Sequence, residues 1–496
     1  MKIKVDCRGE QLQIEVPSGF RLLEGLTANE ISVNAACGGN GSCQKCRVRV
    51  KEGFVGVTAA DRKAFNAAEI AEGWRLSCQA VVRTNMACLV PDVESLRAVP
   101  RLVRHARLAE GAESPILVCD LGSTGVVVAI GDEKARPLLE AHLLNRQVRF
   151  GADVMSRLKA VQDKGMAPLH EAIVKTLAPC LKALELEAPE LYGRARRGGL
   201  FCSGNSALVS FLHAWNTDTL AVSPFQPVSR DAASTVSEAL GLTLHSLPLL
   251  GGFVGADTFA GVLALMERSP APPSPWMLVD VGTNTEIVLS TEDELWFSSA
   301  PAGPAFEGGN IALGMRAEAG AIAHARYAGG AWNFETIGND KPRGICGSGL
   351  VDAIFESVEA GLISRDGFVP GGRLELGDAV YLLADDIREF QLAKSATRTA
   401  CDLLMERAGV RPQTLYLAGA FADHLREDAA RGTGLLPPDI KTLAIGNASL
   451  QGTLLWAAAS SEEREEWTRD IEARRKPVEL ALQDDFQDAF IRNLNF

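Results

Sequence analysis

Apolar and polar residues alternate at the start of the chain. Ile3, Val5 and Cys7 share one face of KIKVDC, and Leu12, Ile14 and Val16 share one face of QLQIEV after a turn at Arg8, Gly9 and Glu10. This pattern predicts a β-hairpin. In PSGFRLLEGLTAN the period lengthens, and Leu22, Leu23 and Leu26 form the apolar cluster of a helix for which Ser18 is the candidate cap. CRVRV and RLSCQAVV read as further strands, giving a small sheet packed on one helix. Farther along, LVCDLGSTGVVVAI and LVDVGTNTEIVL each run as apolar strand, polar turn and apolar strand. GICGSGLVDAIFESV places glycines before a helix with Val351, Ile354, Phe355 and Val358 on one side, and TLYLAGAFADHL is a strand that breaks at Gly419. AKSATRTACDLLMERAG reads as a core helix.

A chain of 496 residues is too long for one core, and about three domains are expected. Apolar residues make up 47% and charged residues 23%, as in folded enzymes rather than disordered chains. The net charge of −12 repels phosphate backbones and argues against a nucleic-acid partner. No run of 18 apolar residues predicts a membrane span, so a cytoplasmic protein is expected. In that compartment thiols stay reduced, and eleven cysteines point to metal or redox chemistry rather than disulfides.

Cys37, Cys43 and Cys46 lie within CGGNGSCQKC, and Cys78 follows after 31 residues. A structural zinc site more often shows two CxxC knuckles, and here there is one. A 2Fe-2S cluster takes three thiolates from a long loop and a fourth from a distance. Gly38, Gly39 and Gly41 suit a backbone that curls round such a cluster and aims N–H groups at its sulfurs. Iron is the favoured reading, with zinc and simple buried thiols as alternatives, while Cys7 and Cys88 fall outside the spacing and suit core packing. The stretch resembles a ferredoxin of adrenodoxin-like spacing over roughly the first ninety residues, which implies a β-grasp fold and a one-electron carrier.

Residues 91–114 read as a linker or a loosely docked helix. Beyond it, Asp120 and Asp280 open two similar Asp-x-Gly-Ser/Thr turns 160 residues apart. In each, Gly122 or Gly282 lets phosphate oxygens approach backbone N–H groups, and Ser123, Thr124, Thr283 and Asn284 add donors. Asp120 and Asp280 facing each other across a cleft suit Mg²⁺ held largely through water, with one carboxylate orienting the attacking water. No Gly-Lys pair occurs, so a Walker loop is excluded. Gly347, Ser348 and Gly349 at a helix start form a natural anion site, and Gly419 leaves room for a purine.

That order resembles the ATPase superfamily of sugar kinases, actin and the heat-shock chaperones, from about 115 to 460. The resemblance implies an α/β and α+β multidomain protein: a ferredoxin-like domain at 1–90, a linker at 91–114, and a two-lobed actin-like, RNase H-like ATPase at 115–275 and 276–496. RFGADVMSRL, GGFVGADTFAG, APAGPAFEGGNIALGMRAEAGAI and DIREFQLAKSA extend the likeness. Together with the cysteines, the chain resembles the reductive activators of corrinoid proteins, although Asp120 follows the linker without the extra small domain of some members. The family implies that an electron passes through a 2Fe-2S cluster to a corrinoid protein or cobalamin-dependent methyltransferase, returning Co(II) to Co(I) as ATP is hydrolysed. It further implies an upstream electron donor and a homodimer through the ATPase lobes. ATP-driven donation to another low-potential enzyme, a small-molecule kinase with a regulatory ferredoxin, and a nucleotide-binding redox sensor are the competing readings. Asp257 is read either as a nucleotide or metal contact or as a helix cap, and Glu307 either as a functional group or as a loop carboxylate. The seven histidines form no HExxH motif and suit packing or surface roles.

Overall fold

The computed structural model describes all residues except 8–9, 30, 32, 34, 36–38, 40, 42–43, 92–98, 152, 378–379, 420 and 481–482. Cys37, Cys43 and Gly38 therefore lie outside the described residues. In the first unit, strands β1 (Lys2–Cys7), β2 (Glu10–Glu15), β3 (Arg47–Glu52), β4 (Trp74–Leu76) and β5 (Met86–Val90) form one sheet in the order β2-β1-β5-β3-β4. The β1–β2 hairpin forms in the register the alternation predicts, Val5 opposite Leu12, and β1 also runs parallel to β5. Ile3, Val5, Val48, Leu76 and Val90 pack against Leu22 and Leu26 of the helix Leu22–Ala28, the arrangement of a β-grasp. That helix is capped at Arg21, whose backbone N–H donates to the Glu24 carboxylate, and not at Ser18, which falls before the turn that starts it. The strand expected over RLSCQAVV stops at Leu76 because Gln79 N and Ala80 N both turn back to the Leu76 carbonyl. Cys78 thus sits in a turn.

The second sheet contains β6 (Arg101–Arg104), β7 (Ile116–Leu121), β8 (Gly125–Gly131), β9 (Pro137–Leu144), β10 (Leu200–Gly204), β11 (Ala233–Ser237) and β12 (Leu242–Ser246) in the order β11-β12-β10-β7-β8-β9-β6. The segment expected to be a linker is thus partly sheet: Arg101–Arg104 pairs antiparallel with β9 as its edge strand, and a 3-10 turn follows at Ala106–Glu110. Four residues carrying two arginines give a short, charged strand, suited to an edge and weak as a sequence signal.

The third sheet uses β13 (Trp276–Asp280), β14 (Thr285–Ser290) and β15 (Leu295–Ala300). A satellite sheet of β16 (Ala321–Ala328), β17 (Ala331–Thr336) and β18 (Gly344–Ile345) and a hairpin of β19 (Arg373–Glu375) and β20 (Tyr381–Leu383) follow. β21 (Thr414–Ala418), β22 (Lys441–Ala444) and β23 (Arg475–Pro477) then complete the order β22-β21-β13-β14-β15-β23. Both larger sheets share one plan: an antiparallel meander, β7-β8-β9 or β13-β14-β15, whose first strand is flanked on its other side by a parallel strand, β10 or β21. The two Asp-x-Gly turns therefore occupy equivalent places, at the first bend of each meander.

The helices Ala256–Met266 and Ala448–Ala458 pack face to face between these sheets, with Phe259 edge-on to Trp456 at 5.5 Å. Their closeness depends on Gly452, where a Cβ would stand 1.8 Å from the Ala260 carbonyl oxygen. Valine there must push the helices apart. Gly452→Val is expected to lower the thermal midpoint by several degrees, a cost of about 2 kcal/mol or more, read by calorimetry; an unshifted midpoint would contradict this packing.

Candidate functional site

Asp120 is the penultimate residue of β7 and Asp280 the last of β13, both interior strands, so each sheet delivers one carboxylate to the cleft between the lobes. Their surroundings differ. Asp120 accepts from Asn447 Nδ2 at 2.8 Å and from Ser449 Oγ at 2.9 Å, and Ser449 in turn shares a hydrogen bond with Ser203 Oγ at 2.8 Å. Asn447 also caps the helix Ala448–Ala458 by accepting from Leu450 N, so Asp120 lies at the positive end of that helix. At Asp280 a close neighbour is Gly419, whose φ is +89° and whose Cβ, if present, would come within 3.0 Å of Asp280 Oδ1.

Asp257 and Glu286 join the group. Glu286 pairs with Asp280 across β13 and β14, and Asp257 stands in the first turn of the helix Ala256–Met266. Gly255 occupies the cap position, so Asp257 does not cap, although its carboxylate accepts from Thr258 N at 2.8 Å. Burial pushes the Asp280 carboxyl up to about 6, with the Asp120 charge adding to it. Burial likewise pushes Asp257 to about 7, opposed by the Thr258 N–H and reinforced by Asp280 and Asp120. Glu286 is held well above the carboxylate range by burial and then by the charges of Asp257 and Asp280, and Asp120 is raised less decisively because Asn447 and Ser449 favour its ionised form. Among the described residues no three His, Cys, Asp or Glu side chains are grouped to ligate one metal ion directly. A cation entering this anionic cleft would keep water or phosphate oxygens in its coordination shell, as Mg²⁺ prefers.

The two turns are built differently from each other. In the first, a Cβ at Gly122 would lie 2.5 Å from the Gly125 carbonyl oxygen, so the bend requires glycine. The buried Asn145 side chain donates to Gly122 O at 2.9 Å, Asn205 Nδ2 donates to Ser123 Oγ at 3.1 Å, and the buried Arg157 guanidinium donates to Ser123 O. In the second, Thr283 and Asn284 border a cavity of about 560 Å³ whose walls include Met155, Phe253, Phe297 and Pro301. Glu307 joins the turns. Its carboxylate accepts from Thr124 Oγ1 at 2.6 Å, from Thr283 N at 3.0 Å and from Thr283 Oγ1 at 2.9 Å. The bridge spans the lobes.

Gly347, Ser348 and Gly349 begin the helix Gly347–Glu359 and are buried. A Cβ at Gly347 would sit 2.1 Å from Phe306 O, one at Gly349 the same distance from Ile322 O, and Ser348 Oγ donates to Ala323 O at 2.8 Å. Close packing accounts for both glycines. Phe306 continues the contact, with its ring 5.1 Å from that of Phe421 beside the Gly419 turn.

In the first unit Cys46 and Cys78 are buried together. Ser77 N donates to Cys46 O at 2.8 Å, which sets the Cys78 turn beside Cys46, the residue that leads into β3. The Cys78 thiol, and then burial, hold the Cys46 thiol well above its usual range, so a metal that displaces these protons finds a preformed pair of thiolate donors. Gln79 Nε2 donates to Cys78 Sγ and to Gly39 O, both at 3.4 Å. Gly39 and Gly41 take φ of +95° and +81°, and a Cβ at Gly41 would meet the Gln79 amide at 2.9 Å. Two buried thiols, a donor aimed at sulfur and glycines that keep the loop close fit an iron–sulfur group. Cys7 and Cys88 lie in the core, as their spacing suggests.

A β-grasp unit with paired buried thiols, followed by two lobes of repeated plan around an acidic cleft, defines a ferredoxin domain joined to a two-lobed ATPase. Residues 5–83 match the 2Fe-2S iron-sulfur cluster binding domain, residues 116–268 the RACo middle region, and residues 274–496 the C-terminal domain of RACo, the ASKHA domain. The chain is 31% identical over 432 residues to the corrinoid activation enzyme RamQ of Eubacterium limosum, covering 77% of this chain and 71% of that protein. It is 26% identical over 375 residues to the Co(II) methylated amine-specific corrinoid protein reductase of Methanosarcina barkeri, covering 67% and 68%. The solved structure of a reductive activator for corrinoid, iron-sulfur protein shares its fold, with a TM-score of 0.67 at 23% identity over 100% of this chain and 98% of that one. The chain belongs to the family of reductive activators of corrinoid proteins. Among the described residues no helix is long and apolar enough to cross a membrane.

Asp257 and Asp280 ionise near 3.8 when unfolded and near 7 and 6 when folded, so the native state binds more protons between these values. Stability from this pair is complete below about pH 4 and is lost as pH rises towards 7. Asp257→Asn and Asp280→Asn should each flatten that decline relative to the unmodified protein, measured by urea unfolding across the window. Parallel pH profiles would contradict the burial argument.

Proposed function

We propose that this chain returns the cobalt of a corrinoid protein from Co(II) to Co(I) by delivering one electron, and hydrolyses ATP in doing so. One observation carries the reading: the same chain holds a buried thiol pair with a hydrogen bond to sulfur and two facing Asp-x-Gly turns tied across an acidic cleft. A 2Fe-2S cluster, when bound, supplies a one-electron couple near about −400 mV. Cys46 and Cys78 would hold it together with Cys37 and Cys43, the latter two assigned from spacing alone. Gln79 stabilises the charge on sulfur, and Gly39 and Gly41 keep the loop close.

In the ATPase, the backbone N–H groups at Gly122 and Gly282 and the donors Ser123, Thr124, Thr283 and Asn284 are proposed to hold the phosphates. Asp280 is the better candidate to orient the attacking water, because Asp120 is already bonded by Asn447 and Ser449. Asp120 then anchors the helix that closes the lobes and contributes negative charge for Mg²⁺. Gly419 is proposed to leave space at the adenosine end, with Gly347, Ser348 and Gly349 backing the wall through Phe306. Each 59 mV of uphill transfer costs about tenfold in equilibrium. Nucleotide offsets such a deficit through its differential affinity for two conformations. An upstream one-electron donor must restore the chain after each turnover.

Anaerobically reduced protein mixed with ATP and a Co(II) corrinoid protein should give the Co(I) absorption spectrum, with no such change when ATP is omitted; a spectrum unmoved by ATP would sink the proposal. Gln79→Leu removes the donor to Cys78 and should lower the reduction potential by about 40 mV, the one-electron equivalent of a hydrogen bond worth about 1 kcal/mol. Protein-film voltammetry reads that shift, and an unchanged or raised potential counts against the Gln79 assignment.

A further inference from the structure

The donors that suit a phosphate at the two turns already serve an anion. Thr124 Oγ1, Thr283 N and Thr283 Oγ1 all point at the Glu307 carboxylate, and both of its oxygens are used. Carboxylate and phosphate oxygens compete for the same N–H and O–H groups, since each offers negative charge and bare lone pairs. The segment that carries Glu307 also reaches the other parts of the molecule. Gly303 N donates to Thr283 O at 2.8 Å, Phe306 O lies against Gly347, the Phe306 ring meets Phe421, and Ile311 O accepts from Lys45 Nζ, one residue before Cys46. Gly303 itself has φ +76° with no atom within 4 Å of the position a Cβ would take, so the segment begins at an unobstructed pivot.

We propose that Glu307 is a positioning residue that acts as an internal stand-in for the terminal phosphate of a nucleoside triphosphate. It holds the two turns at binding distance until that phosphate displaces it, and its departure moves the segment on which Lys45 of the cysteine loop rests. This rests on the reading that the turns hold a triphosphate, and it reverses the usual expectation for a residue in such a site. Removing a group that binds the ligand weakens affinity, whereas removing a competitor strengthens it. On this proposal the donors that Glu307 holds are those of the terminal phosphate, so a diphosphate is indifferent to it. The charge of Glu307 also matters to Arg157, whose guanidinium burial pushes down to about 10 while Asp153 and Glu307 oppose the shift.

Isothermal titration of the full-length protein with a non-hydrolysable ATP analogue and with ADP tests the proposal. Glu307→Ala should bind the analogue about tenfold more tightly than the unmodified chain, with ADP affinity unchanged. Glu307→Gln, which keeps the shape and removes the charge, should tighten analogue binding by a smaller factor and guards against a simple folding defect in the alanine variant. In the unmodified protein the analogue, but not ADP, should raise the acylation rate of Lys45. Equal or weaker analogue binding by a folded Glu307→Gln variant overturns the stand-in, and a Lys45 rate indifferent to the analogue overturns the coupling. If the unmodified chain binds neither nucleotide, the reading of the turns fails and the inference falls with it.

Discussion

Four carboxylates at one cleft, half withdrawn from water and short of cations, are the constraint around which this molecule is organised. Asp120, Asp257, Asp280 and Glu286 each lose hydration, which raises all four, and the charges of neighbouring acids push Asp257, Asp280 and Glu286 further in the same direction. Left alone, such a group weakens the fold. On the proposed reading a divalent cation and its phosphate ligands would relieve the repulsion, so the part of the fold that costs most is the part that would gain most from nucleotide.

The same constraint explains how the lobes meet. Asp120 is steadied by Asn447 and Ser449, at the start of a helix that also packs through Gly452 onto the helix carrying Asp257. One helix therefore receives the acid of the first lobe at its end and the helix of the second acid along its side. A change in charge at the cleft is felt directly by the surface that joins the lobes. Glu307 makes the second tie, bonding a threonine from each turn, and Phe306 beside it fills the space against Gly347 and Phe421.

The repeated turns were legible because a bend that needs glycine, an acid at the strand end and hydroxyl donors leave a local signature, and the same holds for the alternating hairpin that starts the chain. Partners distant along the chain were not legible. Asn447 and Ser449 lie more than three hundred residues from Asp120, and nothing in their local pattern separates a helix cap from a helix cap that also binds an aspartate. Glu286 was overlooked although it stands in the same motif as Asp280, its acidic side chain interrupting an otherwise apolar strand. Gly347 and Gly349 show a different ambiguity, since a glycine required by a neighbouring carbonyl reads the same in sequence as one required by a ligand. The edge strand at Arg101–Arg104 was hidden by its shortness and charge, and the turn that carries Cys78 is disguised as a strand by local apolar content.

That edge strand has a consequence for reach. Fixing Arg101 on the ATPase leaves eleven residue steps from Val90, the last residue of the ferredoxin sheet, and at about 3.3–3.6 Å each these span no more than about 40 Å even when fully drawn out. Whatever accepts the electron must therefore meet the redox unit beside the ATPase, where Lys45 already donates to Ile311 O.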